Sequence, residues 1–378
     1  MKLRNKEGVL HVHVGYLPTP PTVGEMKSKP MQTSVHILNS MGIQPDFLIA
    51  RAERPLDKKR KERLALFCNM DGDDIISNPD LESVYDVALE FDKQHFADRI
   101  LKHWRLKAKH NDLSDWIKLA QTVKAVKDEV VVAMVGKYFS TGDYVLADVY
   151  LSVIESLKYA GWHHNVKVKM RWVDSEKIES DGPAKHLQGA AGVIVPGGFG
   201  SRGIEGIIQA IQFARENNVP YFGLCYGMQL ATVEVARHVA GIKDATSAEI
   251  DPKAKHPLIH IMPEQEKKLL QRDYGATMRL GAWPAKISKG SKVYSAYGQS
   301  HIEERHRHRY EFNNKYRKQI EEAGLKIVGT SPDDRIVEIV ELENHPWFVG
   351  VQFHPEFKSR PLRPHPLFRD FVGACLKK

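Results

Sequence analysis

The chemistry-bearing residues fall in three short stretches. The first is Gly223-Leu224-Cys225-Tyr226-Gly227, where an apolar run over 220–224 leads through a cysteine into a predicted helix over 228–239. Small residues on both sides of a nucleophile suit a tight strand-to-helix turn, which lifts the reactive atom clear of the sheet. A helix N-terminus favours a thiolate over a thiol. The second stretch, 353–357, holds His354 and Glu356, an imidazole with a carboxylate two residues on. His354 is expected to take the thiol proton and Glu356 to hold the ring in one tautomer. The third is the loop Pro196-Gly197-Gly198-Phe199-Gly200, which follows an apolar run. Its glycines allow backbone N–H groups close to a ligand. No Lys-Ser/Thr follows, so it fits a phosphate poorly. It fits an oxyanion hole better, with the Tyr226 amide as the first donor, each donor being worth roughly 3–4 kcal/mol. A lone free cysteine is most often a small buried hydrophobe. The combination predicts a cysteine nucleophile that attacks an amide.

These residues need a sheet to hold them. From Glu129 onward strands alternate with helices: strands over 130–135, 166–172, 192–195, 220–224, 258–262, 336–341 and 347–353, and helices over 149–159 (capped by Asp148), 204–214 and 228–239. This alternation predicts an α/β fold with a mainly parallel sheet covered by helices on both faces, its site at the carboxyl ends of the strands. Residues 1–100 also read as α/β: a strand over 9–14, a helix over 34–41 capped by Thr33 or Ser34, a strand over 47–50 and an element starting near Arg63. Residues 101–128 are expected to be a helical linker, and 129–378 the second domain.

At 378 residues the chain is long enough for two cores. Its three cysteines, Cys68, Cys225 and Cys375, suit a reducing cytoplasm rather than a disulfide framework. No apolar run reaches membrane-spanning length. The net charge of +8 is spread along the chain, which argues against a nucleic-acid polymer as partner. The run Arg305-His306-Arg307-His308-Arg309-Tyr310 is best explained by an arginine that grips a carboxylate. No carboxylate or cysteine cluster accompanies its histidines, so no metal site is expected.

Together these stretches resemble the class I glutamine amidotransferases. Further segments narrow the resemblance to the CTP synthase family: 192–200 (GVIVPGGFG), 213–218 (FARENN), 277–281 (TMRLG), 304–311 (ERHRHRYE), 344–348 (NHPWF), 24–30 (GEMKSKP), 42–46 (GIQPD) and 66–69 (LFCN). The resemblance implies a class I glutaminase fold preceded by a partial amidoligase domain. Cys225, His354 and Glu356 then match the glutaminase triad. Gly198, Tyr226, Gly227, Met228 and Gln229 match the oxyanion and glutamine-contacting backbone. Glu249 matches the group that grips the substrate's α-amino end, and Arg309 its carboxylate. Lys27, Ser28, Lys29, Pro30, Met31 and Gln32 resemble a UTP/CTP-binding stretch, and Arg63 stands where the family usually has a nucleotide-binding lysine.

The resemblance implies glutamine hydrolysis that feeds ammonia to ATP- and Mg-dependent amination of UTP to CTP. It also implies activation by GTP and assembly as a homotetramer. No Gly-x4-Gly-Lys-Ser/Thr phosphate loop occurs in the sequence. The expectation is therefore a fragment whose glutaminase half is complete and whose amination needs a phosphate-loop region. Ala276, where the family tends to glycine, and a longer 139–146 loop are further departures. The alternative is a catalytically silent regulatory or assembly module of a CTP synthase complex.

Overall fold

An unbroken apolar run in a strand must be covered on both faces, and the run over 130–135 in strand Glu129–Gly136 is: Ala133 and Val135 enter one core cluster, Val132 and Met134 the other. The computed structural model describes residues 1–5, 7–110, 112–137, 140–141, 144–145, 150–261 and 278–377. Asp148, Ala276, Thr277, Met262 and most of the 139–146 loop lie outside these residues. The chain divides into two compact units, Met1–Ala125 and Val126–Lys378.

The second unit is built on a nine-stranded sheet. Its order is His301–His308, Arg279–Ile287, Leu325–Thr330, Val337–Leu342, Phe348–Val351, Tyr221–Leu224, Gly192–Val195, Glu129–Gly136 and Lys167–Asp174. The last five strands are parallel. The expected parallel sheet is thus present, and the first four strands extend it in antiparallel fashion. Parallel neighbours need a crossover of a dozen or more residues; the connections over 331–336 and 343–347 are too short for one. Helices Ile204–Glu216 and Tyr226–His238 bury one face, and Leu151–His163 and Pro366–Cys375 the other. Leu151–His163 begins after Tyr150, which makes no side-chain cap. A small separate sheet joins Ala245–Ser247, His256–Ile261 and Tyr310–Phe312.

The first unit holds a three-stranded parallel sheet, Val12–Tyr16, Phe47–Ala52 and Ile75–Pro79. Helix Lys29–Ser40 starts five residues before the expected Ser34, because Pro30 sits in its first turn, where its missing N–H costs nothing. Lys58–Cys68 is capped by the Asp57 carboxylate, which accepts from the Arg60 amide. Helix Ser114–Ala125, within the segment expected to be a linker, is part of this unit. It stacks Trp116 on Tyr85 and pairs Lys124 with Asp86.

Candidate active site

Three neighbouring parallel strands end together. Gly223 is in register with Val195, and Leu224 with Val351. The chain leaves the first strand into the glycine loop 196–200, the second into Cys225 and the third into Gln352-Phe353-His354. The three stretches singled out by their chemistry thus emerge at the same end of adjacent strands.

Cys225 occupies the turn itself, with φ 49° and ψ −95°, a conformation costly for any residue with a Cβ. Its N–H donates to the Val351 carbonyl at 2.6 Å, and its side chain is 6% exposed. The glycines at both flanks are required by contact. A Cβ on Gly223 would lie 2.7 Å from the Gly227 carbonyl carbon, and one on Gly227 would lie 2.4 Å from the Val195 oxygen.

His354 hangs from the neighbouring strand, its N–H donating to the Arg305 carbonyl at 2.7 Å. Its Nδ1 bonds Glu356 Oε1 at 2.7 Å, and both side chains are buried. Its Nε2 makes no good hydrogen bond among the described residues. Burial pushes the imidazole toward neutrality, but the adjacent Cys225 sulfur and the Glu356 carboxylate outweigh it, and the ring's pKa is raised. Gly197 packs on this ring: a Cβ there would meet His354 Cε1 at 2.7 Å. Gly198 has room, its nearest neighbour being Tyr226 Cδ1 at 3.6 Å.

A cavity of about 530 Å³ opens over these groups, lined by Cys225, His354, Gly198, Gln229, Glu249 and Arg309 among others. Glu249 accepts from the Gly200 N–H at 3.1 Å. Arg309 Nε is buried and has no hydrogen-bond partner among the described residues. The cavity thus presents carboxylates (Glu249 and Glu356) and guanidinium groups (Arg307 and Arg309) together. Of the stretch after the cysteine, only Gln229 lines it. Tyr226 turns its hydroxyl to the Gly200 carbonyl at 2.7 Å, Gly227 packs on Val195, and Met228 is wholly buried against Gly350.

Several residues here went unnoticed in the sequence. Lys137 is buried and donates to the Gly200 carbonyl at 2.5 Å and to that of Phe199 at 3.3 Å, pinning the glycine loop; burial lowers its pKa to about 8. The basic run is an amphipathic strand. Ile302, Glu304, His306 and His308 point inward and Arg305 and Arg307 outward. Inside, Arg279 pairs with Glu338, and His306 bonds His308 at 3.1 Å. Burial, with Arg279 alongside, holds His306 at about 2 and His308 at about 3, so both are neutral. Burial also raises Glu338 to about 7. Period-2 alternation of His and Arg over 305–309 was the available signal.

In the first unit, the Met31 side chain lies in the core at 1% exposure, against Gly15. Gln32 is buried and bonds Ser28 Oγ at 3.0 Å. Pro30 is held in the first helical turn. Lys27 pairs with Glu25 at 2.8 Å, Lys29 is exposed, and exposed Arg63 lies over the Phe67 ring at 5.8 Å.

Residues 145–374 match the family model described as glutamine amidotransferase class-I, and residues 1–106 match the one described as CTP synthase N-terminus. The CTP synthase of Carboxydothermus hydrogenoformans is 50% identical over 372 residues, covering 98% of this chain and 68% of that protein. The chain belongs to the CTP synthase family. The CTP synthase of Listeria innocua is 49% identical over 370 residues, with the same coverage of both chains. Among solved structures, the glutaminase domain of Trypanosoma brucei CTPS with bound acivicin matches at TM-score 0.61 and 39% identity, covering 66% of this chain and 94% of that one. This chain combines a CTP synthase N-terminal segment with a class-I glutamine amidotransferase domain.

Proposed function

We propose that the protein hydrolyses glutamine at Cys225, His354 and Glu356, making the ammonia that its family uses to convert UTP to CTP. The observation that carries this reading is the shared exit of the cysteine, the His354–Glu356 pair and the glycine loop from three neighbouring strands into one cavity. The Cys225 thiolate attacks the side-chain amide carbon, forming a C–S bond. The oxyanion rests on backbone N–H groups at Gly198 and Tyr226. His354, charged with the thiol's proton, gives it to the leaving nitrogen; the C–N bond breaks and ammonia departs, leaving a thioester. Water then attacks the thioester with His354 as base, releasing glutamate and restoring the thiol. Glu249 and Arg309 hold the α-amino and α-carboxylate groups. The trypanosomal domain was solved with bound acivicin, and the cavity over Cys225 is proposed to take the same compound.

ATP, magnesium and GTP belong to the family's chemistry. Among the described residues no group of three or more His, Cys, Asp or Glu is placed to hold a metal ion. The sequence carries no phosphate loop. No step here runs through ATP or magnesium. Lys27, Ser28, Lys29 and Arg63 are the exposed or half-exposed polar groups proposed to reach a pyrimidine nucleotide. A tetrameric assembly and a cytoplasmic location complete the proposal; no described helix is long and apolar enough to cross a membrane.

The test is ammonia release from glutamine. Cys225→Ala is expected to abolish it while leaving the thermal unfolding cooperative. Activity that survives in the folded variant contradicts the assignment.

A further inference from the structure

The carboxamide of Gln352 is completely buried, and its nitrogen points at the nucleophile: Nε2 to Cys225 Sγ is 3.5 Å. A side-chain amide can take two orientations that exchange its O and N, and the hydrogen-bond network decides between them. Here it does so by a chain of donors and acceptors. The Tyr310 carbonyl only accepts, so the Gln229 atom 3.0 Å from it is Nε2. That same Nε2 lies 3.2 Å from Gln352, so the Gln352 atom facing it is Oε1. Its Nε2 is then left to donate to the sulfur. The Tyr310 carbonyl is itself held by His308 Nδ1 at 3.0 Å, and the Gln352 backbone N–H by the Glu338 carbonyl at 2.8 Å. Both ends of the relay are fixed by backbone.

From this geometry we infer that Gln352, oriented by Gln229, donates a hydrogen bond to the Cys225 sulfur that favours the thiolate and aims it. The inference rests on Cys225 being the nucleophile. A donor to sulfur is stronger when the sulfur is charged, so the bond is worth most in the reactive form. Gln352 also complements His354: the imidazole exchanges the proton, while the carboxamide supplies a donor that never titrates. Besides Cys225, the charged and titratable groups around this cavity are His354, Glu356, Glu249, Arg307, His308, Arg309, Tyr150 and Tyr310. Behind the Gln352 segment stand Arg279, His306 and Glu338. The Gln352 carboxamide hydrogen-bonds to none of these charged or titratable side chains among the described residues. Gln229, matched above to the glutamine-contacting stretch, gains a second role as the orienting link.

The test follows alkylation of Cys225 by iodoacetamide in the full chain across pH 5–10, with peptide mapping to separate Cys225 from Cys68 and Cys375. Gln352→Met, of similar length without the donor, is expected to slow alkylation at pH 7 about tenfold, as loss of a hydrogen bond to a charged group predicts. The half-maximal point of its profile should move up by about one pH unit. Gln352→Glu keeps the shape and the bond from Gln229 but faces the sulfur with an acceptor; it should shift the profile further. In both variants kcat for glutamine should fall with KM changed less than about threefold. Folded variants whose alkylation profile superimposes on the parent's overturn the inference. Should Gln352→Met fail to fold, the profile of Gln352→Glu decides alone. Failure of the underlying assignment shows separately, as ammonia release by Cys225→Ala.

Discussion

Glu356 does two things for His354 through one hydrogen bond of 2.7 Å. It fixes the ring so that Nε2 faces the cysteine, and it stabilises the protonated ring. Glu356→Ala is expected to lower kcat on the order of a hundredfold, within the usual range for general acid–base assistance, with a smaller change in KM. Its effect on stability carries a pH signature. A histidine whose pKa is raised on folding contributes stability that is full below the ordinary imidazole value and is lost as pH rises through the raised one. With His354 raised to about 10, the drop in Tm caused by Glu356→Ala should be largest near pH 6 and shrink as pH approaches that value. Thermal melts across pH 6–10 check this; a drop that grows with pH would contradict it. The candidate trio Cys225, His354 and Glu356 stood out in the sequence by residue type and by the glycines and the His-x-Glu spacing around them. Gln352 did not, since a glutamine has no charge or nucleophilic character to draw the eye. The remaining clue was its place directly after the apolar strand Phe348–Val351, in the segment that leads to His354.

At the scale of elements, the strand-to-helix turn is the part with least freedom. Gly227→Ala drives a Cβ into the Val195 backbone, which cannot yield as a flexible side chain does. The variant is expected to lose about 1–3 kcal/mol and much of its glutaminase activity, because the helix that opens after Cys225 must shift. Gly198→Ala meets nothing closer than 3.6 Å and should leave Tm within a degree or two of the parent. Calorimetry on the pair checks this, and equal losses would contradict it. Element types around the turn were legible because Gly192–Val195 and Tyr221–Leu224 are apolar throughout and bracketed by glycine or proline. The antiparallel half was harder to read. Arg279–Ile287 and His301–His308 carry arginine, glutamate and histidine on buried or half-buried positions, which hides the strand alternation behind polar residue types. Helix Lys29–Ser40 was placed late because a serine looks like a cap while Pro30, the truer start signal, looks like a breaker.

Across the whole molecule, charge and cysteine content said little about the site. A surplus of +8 coexists with a cavity lined by two arginines and two glutamates. The three cysteines differ by place rather than by burial, for all are buried. Burial raises Cys68 to about 11, a thiol with little nucleophilic character at neutral pH, and Cys375 packs in the core beneath Gly192. Cys225 alone of the three lines the cavity with His354. A thiol-reactive glutamine analogue therefore discriminates sharply. Incubated with the full chain and followed by intact mass and peptide mapping, it should add one label per molecule, on Cys225, and glutamine in excess should protect against it. Label spread over Cys68 and Cys375, or on Cys225 without protection by glutamine, would contradict the glutaminase site.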